Sequence, residues 1–180
     1  MKIEIKERGS REYYDELLYV SARRKEIQKN PHKKIESFTG YMTRYNLLAA
    51  GSIVFMIVCA FVFNNVIFLF MGITAFILLI IGLISMRNGK KGIEQFLEEK
   101  GTKLITIDEN GLEFVDNEKN IIMKWDDILN VIVNNYSICF FPQVLSNTII
   151  SLTKDHLEEI KEALSFYGKS DLLIDNSSLY

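Results

Sequence analysis

The stretch Leu47–Met86, LLAAGSIVFMIVCAFVFNNVIFLFMGITAFILLIIGLISM, decides how the rest of the chain is read. No Asp, Glu, Lys, Arg or His lies between Arg44 and Arg87, although charged residues make up 24% of the chain. Read as one helix of 40 residues, the stretch is about 60 Å long, roughly twice the thickness of a bilayer's hydrocarbon layer. Asn64-Asn65 divides it into residues 47–63 and 66–86, which are 17 and 21 residues long. Each piece suits one membrane crossing, and an Asn pair tolerates turn geometry at the headgroup level. A buried helical pair in a soluble core is the weaker reading, because 180 residues hardly suffice to cover two all-apolar helices on every side. The prediction is a two-helix transmembrane hairpin over 47–86.

The flanks orient it. Arg23, Arg24, Lys25, Lys29, Lys33, Lys34 and Arg44 precede the first span, and Arg87, Lys90 and Lys91 follow the second. The positive-inside rule then predicts a multi-pass cell-membrane protein with both termini cytoplasmic. Charges of both signs and the late start of the first span argue against a cleaved signal peptide. Of the basic residues, Lys33, Lys34, Arg44, Arg87, Lys90 and Lys91 are the candidate contacts for anionic lipid, each worth roughly 1 kcal/mol close to a charged surface. The net charge of −2 hides an asymmetry: residues 1–46 carry 11 basic and 7 acidic side chains, and residues 87–180 carry 10 and 16. So acidic a C-terminal part excludes nucleic acid as an expected partner.

Residues 1–46 read as an N-terminal cytoplasmic segment. Met1 to Glu7 alternates, with Ile3 and Ile5 on one face, and predicts a short strand that needs a partner in a later sheet. Ser10 is the expected N-cap of a helix from Arg11 to Gln28, with acidic residues early and basic residues late. Its stripe of Tyr13, Tyr14, Leu17, Leu18 and Val20 reads as a core face, the Tyr pair as a ligand-stacking platform being the alternative. Asn30-Pro31 ends the helix. Ile35, Phe38, Met42 and Tyr45 then recur at helical spacing and predict an amphipathic lead-in to the first span. Within the hairpin, Ala49, Ala50, Gly51 and Ser52 are expected to lie opposite Leu78 to Gly82, where small residues permit close approach.

Residues 87–102 predict a linking helix, with Ile93, Phe96 and Leu97 on one side. From Leu104 the period changes to two. Strands are expected at Leu104–Ile107, Leu112–Val115, Ile121–Trp125, Ile128–Val133, Ser137–Phe141 and Thr148–Leu152, with Glu109-Asn110-Gly111 and Asp116 to Asn120 as turns. A helix over Lys154–Tyr167 closes a domain spanning 103–167, and the tail 168–180 is expected to be loosely held. The strands read as a small, strongly curved sheet plugged by that helix.

On Ile105–Phe114 (ITIDENGLEF) and Met123-Lys124-Trp125-Asp126-Asp127-Ile128 leading into Val131, the chain resembles the YcxB-like family of bacterial membrane proteins. The resemblance covers most of the chain in layout. It implies an α+β membrane protein: two membrane helices with a small domain similar to pleckstrin-homology (PH) folds, closed by a C-terminal helix. Ile149-Ile150-Ser151-Leu152-Thr153-Lys154 departs from the proline-containing strand end such a domain would have there. What the resemblance implies is a domain that binds or holds something at the membrane, with no catalytic residues to carry over.

The residues themselves point away from catalysis. Asp126-Asp127 lacks a third ligand at metal spacing, and Trp125 beside it reads as core. His32 and His156 share no site, Cys59 and Cys139 stand in no Cys/His motif, and neither a phosphate loop nor GxSxG occurs. No enzyme activity, metal or cofactor is expected. The sequence instead suggests a module that binds a membrane or membrane-proximal protein, regulatory or scaffolding, with Tyr136, Phe140 and Phe141 as candidate partner contacts. The alternative is an immunity protein that shields a producing bacterium from a membrane-active toxin or bacteriocin.

Overall fold

The computed structural model describes residues 2–5, 9–98, 103–116, 119–144 and 148–177. The chain is α+β, with two long apolar helices and two small sheets. It divides into a compact unit of Met1–Ile35 with Phe96–Tyr180, and a second unit, Glu36–Gln95. The first is discontinuous in sequence, and the apolar hairpin is the insertion.

The hairpin unit holds α3 (Phe38–Phe63) and most of α4 (Val66–Glu98), joined at Asn64-Asn65. Asn64 caps α3 in the left-handed conformation (φ 46°, ψ 43°), and the Asn65 side chain accepts from the Ile67 amide at 2.9 Å. The Asn pair therefore closes the turn with its own polar atoms, as its side-chain chemistry favours. At the other end, Ser37 accepts from the Gly40 amide at 3.0 Å and starts α3 well before the charge-free stretch. The expected amphipathic lead-in and linking helix are thus continuous with the two apolar helices. Close approach comes from α4 rather than from Ala49–Ser52. A Cβ at Gly82 would fall 2.2 Å from Asn46 Oδ1 and one at Gly89 2.5 Å from the Phe38 ring, whereas one at Gly51 would meet nothing within 4 Å. Most other hairpin side chains face outward, including Leu48 at 73% and Phe61 at 82% exposure.

The first unit contains β1 (Lys2–Ile5), α1 (Arg11–Ala22), α2 (Arg24–Lys29), then β2 (Lys103–Ile107), β3 (Gly111–Asp116), β4 (Lys119–Lys124), β5 (Ile128–Val133), β6 (Ser137–Pro142), β7 (Ile150–Thr153), α5 (Leu157–Phe166) and β8 (Leu173–Asp175). One sheet is ordered β1-β2-β3-β4 and the other β7-β6-β5-β8. Strand β1 pairs antiparallel with β2, Ile3 opposite Ile105, which gives the N-terminal strand its expected partner. Met1, Lys6, Glu7 and the facing of the Ile3 and Ile5 side chains lie outside the described residues. The long predicted helix is broken at Arg23 into α1 and α2.

The two sheets and α5 enclose one core that includes Ile107, Leu112, Trp125, Val131, Ile138, Phe140, Leu152 and Ile160. Gly111 makes the β2–β3 turn possible: its φ is +147°, and a Cβ there would fall 2.2 Å from the Met123 carbonyl. The Trp125 indole donates to the Asp108 carbonyl at 3.0 Å and so ties this turn to the core. Residues 173–175, expected in a loose tail, instead form β8 and pair parallel with β5. Leu173 and Ile174 have a place there because β5 would otherwise be an open edge.

Candidate functional site

Two of the three candidate partner contacts are corrected by the structure: Phe140 and Phe141 are both 0% exposed. Strand β6 is buried along its whole length, so alternation gives it two covered faces rather than one. Phe140 enters the core under α5. Ser137, Cys139 and Phe141 alternate with it on the other face, which α1 and α2 reach through Glu16–Ser137, Tyr13–Ser151 (3.1 Å) and Gln28 to the Pro142 carbonyl (2.7 Å). Tyr136 remains 47% exposed, on the turn between β5 and β6.

That turn is gripped from below. Glu16 is only 4% exposed, accepts from Ser137 Oγ at 2.5 Å and from the Tyr136 amide at 3.4 Å. Burial raises its pKa, and hydrogen bonds from the Ser137 hydroxyl and from the backbone amides of Tyr136, Ser137 and Asn135 oppose the rise. Asn134 Nδ2 donates to Ser137 Oγ at 3.0 Å, and the Tyr136 carbonyl accepts from the Lys154 amide at 3.0 Å. The backbone of Tyr136 is therefore fixed on both sides while its ring stands in solvent. Cys139 lies in the same cluster, 3.5 Å from Ser137 Oγ. Burial pushes its thiol up to about 12, which leaves it protonated at neutral pH, the opposite of what a nucleophile needs.

Sequence reading missed Glu16, yet its signal was present. Tyr13, Glu16, Leu17 and Val20 share a helical i, i+3, i+4, i+7 spacing, so a carboxylate sat on the face read as core. Tyr13 and Tyr14 are themselves buried, packed edge to face with ring centroids 5.1 Å apart. Asp126 and Asp127 are exposed in a single 3-10 turn after β4. Among the described residues no group of three His, Cys, Asp or Glu side chains is placed to hold a metal ion. His156 lies 3.0 Å from Glu159, within the last helical segment.

The basic residues fall into two sets. Lys33 pairs with Glu26, Arg44 pairs with Glu36, and Lys34 also has a partner. Arg87, Lys90 and Lys91 form no ion pair among the described residues. Together with Leu83, Met86 and Glu94 they line an open groove of about 390 Å³ on α4.

Both long helices, Phe38–Phe63 and Val66–Glu98, are long and apolar enough to cross a membrane, with mean hydropathies of 2.4 and 2.9 over their most apolar windows. Comparison with protein-family models, with curated proteins and with solved structures finds no match to this chain.

Proposed function

We propose that this chain is a non-enzymatic, membrane-anchored module whose folded unit faces the cytoplasm and binds a membrane or membrane-proximal protein. The observation that carries the reading is the charge-free outer surface of the hairpin, where side chains such as Phe61 are largely exposed. So much apolar area in water is far beyond the patch of a few hundred Å² that monomers tolerate, and hydrocarbon is the solvent that suits it. Helix α4, at 33 residues, is about 50 Å long, so it crosses a core of roughly 30 Å and extends beyond it. Basic flanks on both sides support cytoplasmic termini and a two-span topology.

A PH-like domain of the YcxB type is the reading we adopt for the folded unit. Support comes from the antiparallel meanders β1–β4 and β5–β7 followed by α5, with β8 as an addition. Binding rather than catalysis fits a surface that presents Tyr136 on a hydrogen-bonded turn, while the Cys, Ser and Glu beneath it are buried and hydrogen-bonded to one another. Aromatic side chains held on fixed backbone make effective contact residues.

Two measurements test this. Reporter fusions at Met1 and Tyr180 should both read as cytoplasmic, and an external C-terminus overturns the two-span reading. A photo-crosslinking residue replacing Tyr136 in intact membranes should capture one defined protein that the same residue at Glu158 does not. If both positions capture the same products, or if replacing 47–86 by an unrelated hairpin abolishes function while capture persists, specificity does not lie on the Tyr136 surface.

A further inference from the structure

We infer that α4 carries a binding site for the phosphodiester of an anionic glycerophospholipid, formed by Arg87, Lys90 and Lys91 at the point where the apolar stretch ends. The inference rests on the membrane reading of the hairpin. Leu83, Met86, Arg87, Lys90 and Glu94 stand at i, i+3, i+4, i+7 and i+11, which places them along one helical face, with Lys91 flanking. The groove they line is amphiphilic along its length: Leu83 and Met86 at one end, three cations in the middle, Glu94 at the other. A phospholipid has the same order of chemistry, acyl chain then phosphate then headgroup. Three donors of positive charge against one carboxylate leave the groove at +2, enough to select an anionic lipid over a zwitterionic one.

What separates these three residues from Lys33, Lys34 and Arg44 is that they form no ion pair among the described residues. Lys33 and Arg44 are committed to Glu26 and Glu36, and Lys34 is likewise engaged. Glu94 offsets part of the charge of Arg87, Lys90 and Lys91 without forming an ion pair with any of them. Their neighbour Met86 closes the charge-free segment, so the cations sit at headgroup depth when the hairpin spans the bilayer. Arg offers a fork for two phosphate oxygens and Lys a point charge, a combination suited to a tetrahedral anion.

The full chain is reconstituted into phosphatidylcholine vesicles, and the fraction of spin-labelled phosphatidylglycerol immobilised on the protein is compared with that of spin-labelled phosphatidylcholine. Phosphatidylglycerol should be preferred, and R87Q/K90Q/K91Q should abolish the preference, at about fivefold per residue removed. K90Q alone should lower it about fivefold and E94Q should raise it, so the test does not depend on the triple variant inserting correctly. K33Q/K34Q/R44Q should leave it close to the parent value. Equal immobilisation of the two lipids by a protein that resists alkaline extraction overturns the site alone. Extraction of the parent protein by alkaline carbonate overturns the membrane reading and the site with it. Loss of the preference on adding millimolar inorganic phosphate at constant ionic strength assigns the groove to a free anion and overturns the lipid.

Discussion

The hairpin and the folded unit have opposite relations to their surroundings. In the folded unit most of the large apolar side chains are hidden, and even the polar Glu16, Ser137 and Asn134 are drawn inside and linked by hydrogen bonds through the Ser137 hydroxyl. In the hairpin, the apolar side chains face outward and the strongly polar atoms of the charge-free stretch are gathered at Asn64-Asn65. Exposure therefore means different things in the two regions. An exposed Phe in one is a surface feature, and in the other, on the proposed membrane reading, it is solvated by hydrocarbon. The same substitution made in both regions should have different consequences.

Phenylalanine truncation gives the largest expected contrast. Phe140→Ala empties a site enclosed by both sheets and α5, and should destabilise the folded unit by about 3–5 kcal/mol. Phe61→Ala removes a side chain that is 82% exposed, and should alter insertion by only about 0.3–0.6 kcal/mol. Chemical denaturation in detergent, followed by the fluorescence of Trp125, reads the first. Alkaline extraction of membranes reads the second. Comparable losses in both would mean that the outward face of the hairpin is covered by protein.

Charge insertion is next. Ile77 and Ile122 are 51% and 69% exposed. Ile77→Arg should oppose insertion by about 2.5–3.5 kcal/mol near the bilayer centre. Ile122→Arg, on the edge strand β4, should stay within about 0.5 kcal/mol, because that side chain already meets water. Membrane retention of the two variants decides the matter: equal retention removes the distinction between the two solvents.

A smaller effect is expected at the buried carboxylate. Glu16→Ala leaves the Ser137 hydroxyl and the turn amides without their acceptor, at a cost of about 1–3 kcal/mol. The pH dependence has a definite sign. Because the folded-state pKa of Glu16 is raised above its ordinary value of 4.5, the unfolded chain releases this proton first as pH rises. Stability from this group is full below that value and declines as pH climbs through the raised one. Glu26 acts in the opposite sense, since its hydrogen bond and ion pair with Lys33 hold its pKa low. Glu16→Gln should flatten the decline above 4.5 while leaving the acid limb in place, as measured by thermal unfolding at a series of pH values. An unchanged profile would show that Glu16 does not titrate in that window.

How much of this was legible in the sequence depended on the range of the forces involved. The hairpin, its Asn-Asn turn, the Gly111 turn and most strands follow from local composition and period. Phe140 and Phe141 were misread because a strand buried on one face and a strand buried on both differ only in what packs on the second face. Here that is α1 and α2, more than a hundred residues earlier. Strand β8 was missed for the same reason: the short apolar run of a polar tail gains a role only when β5 offers an edge to Leu173 and Ile174. The break at Arg23 leaves no marker such as Gly or Pro. The basic residues flanking the hairpin could be named from the sequence, but whether Lys33 and Arg44 were paired depended on Glu26 and Glu36, and so on the fold.

The smallest effect concerns the turn that joins the two long helices. Asn64 holds the left-handed conformation that closes α3, which costs an ordinary L residue about 1–2 kcal/mol and costs Gly nothing. Asn64→Gly should therefore leave the hairpin within about 0.5 kcal/mol of the parent, and Asn64→Ala should weaken it by about 1 kcal/mol. The opening of α3 from α4 in sodium dodecyl sulfate can be followed by energy transfer between labels at Thr43 and Ser85. If the order is Gly, Asn, Ala, backbone geometry sets the turn and the side-chain amide is incidental. If Asn exceeds Gly, the amide itself contributes, as it would if the turn stood among lipid headgroups. If all three agree, closure is governed by the contacts at Gly82 and Gly89, and the turn merely follows the packing of the two helices.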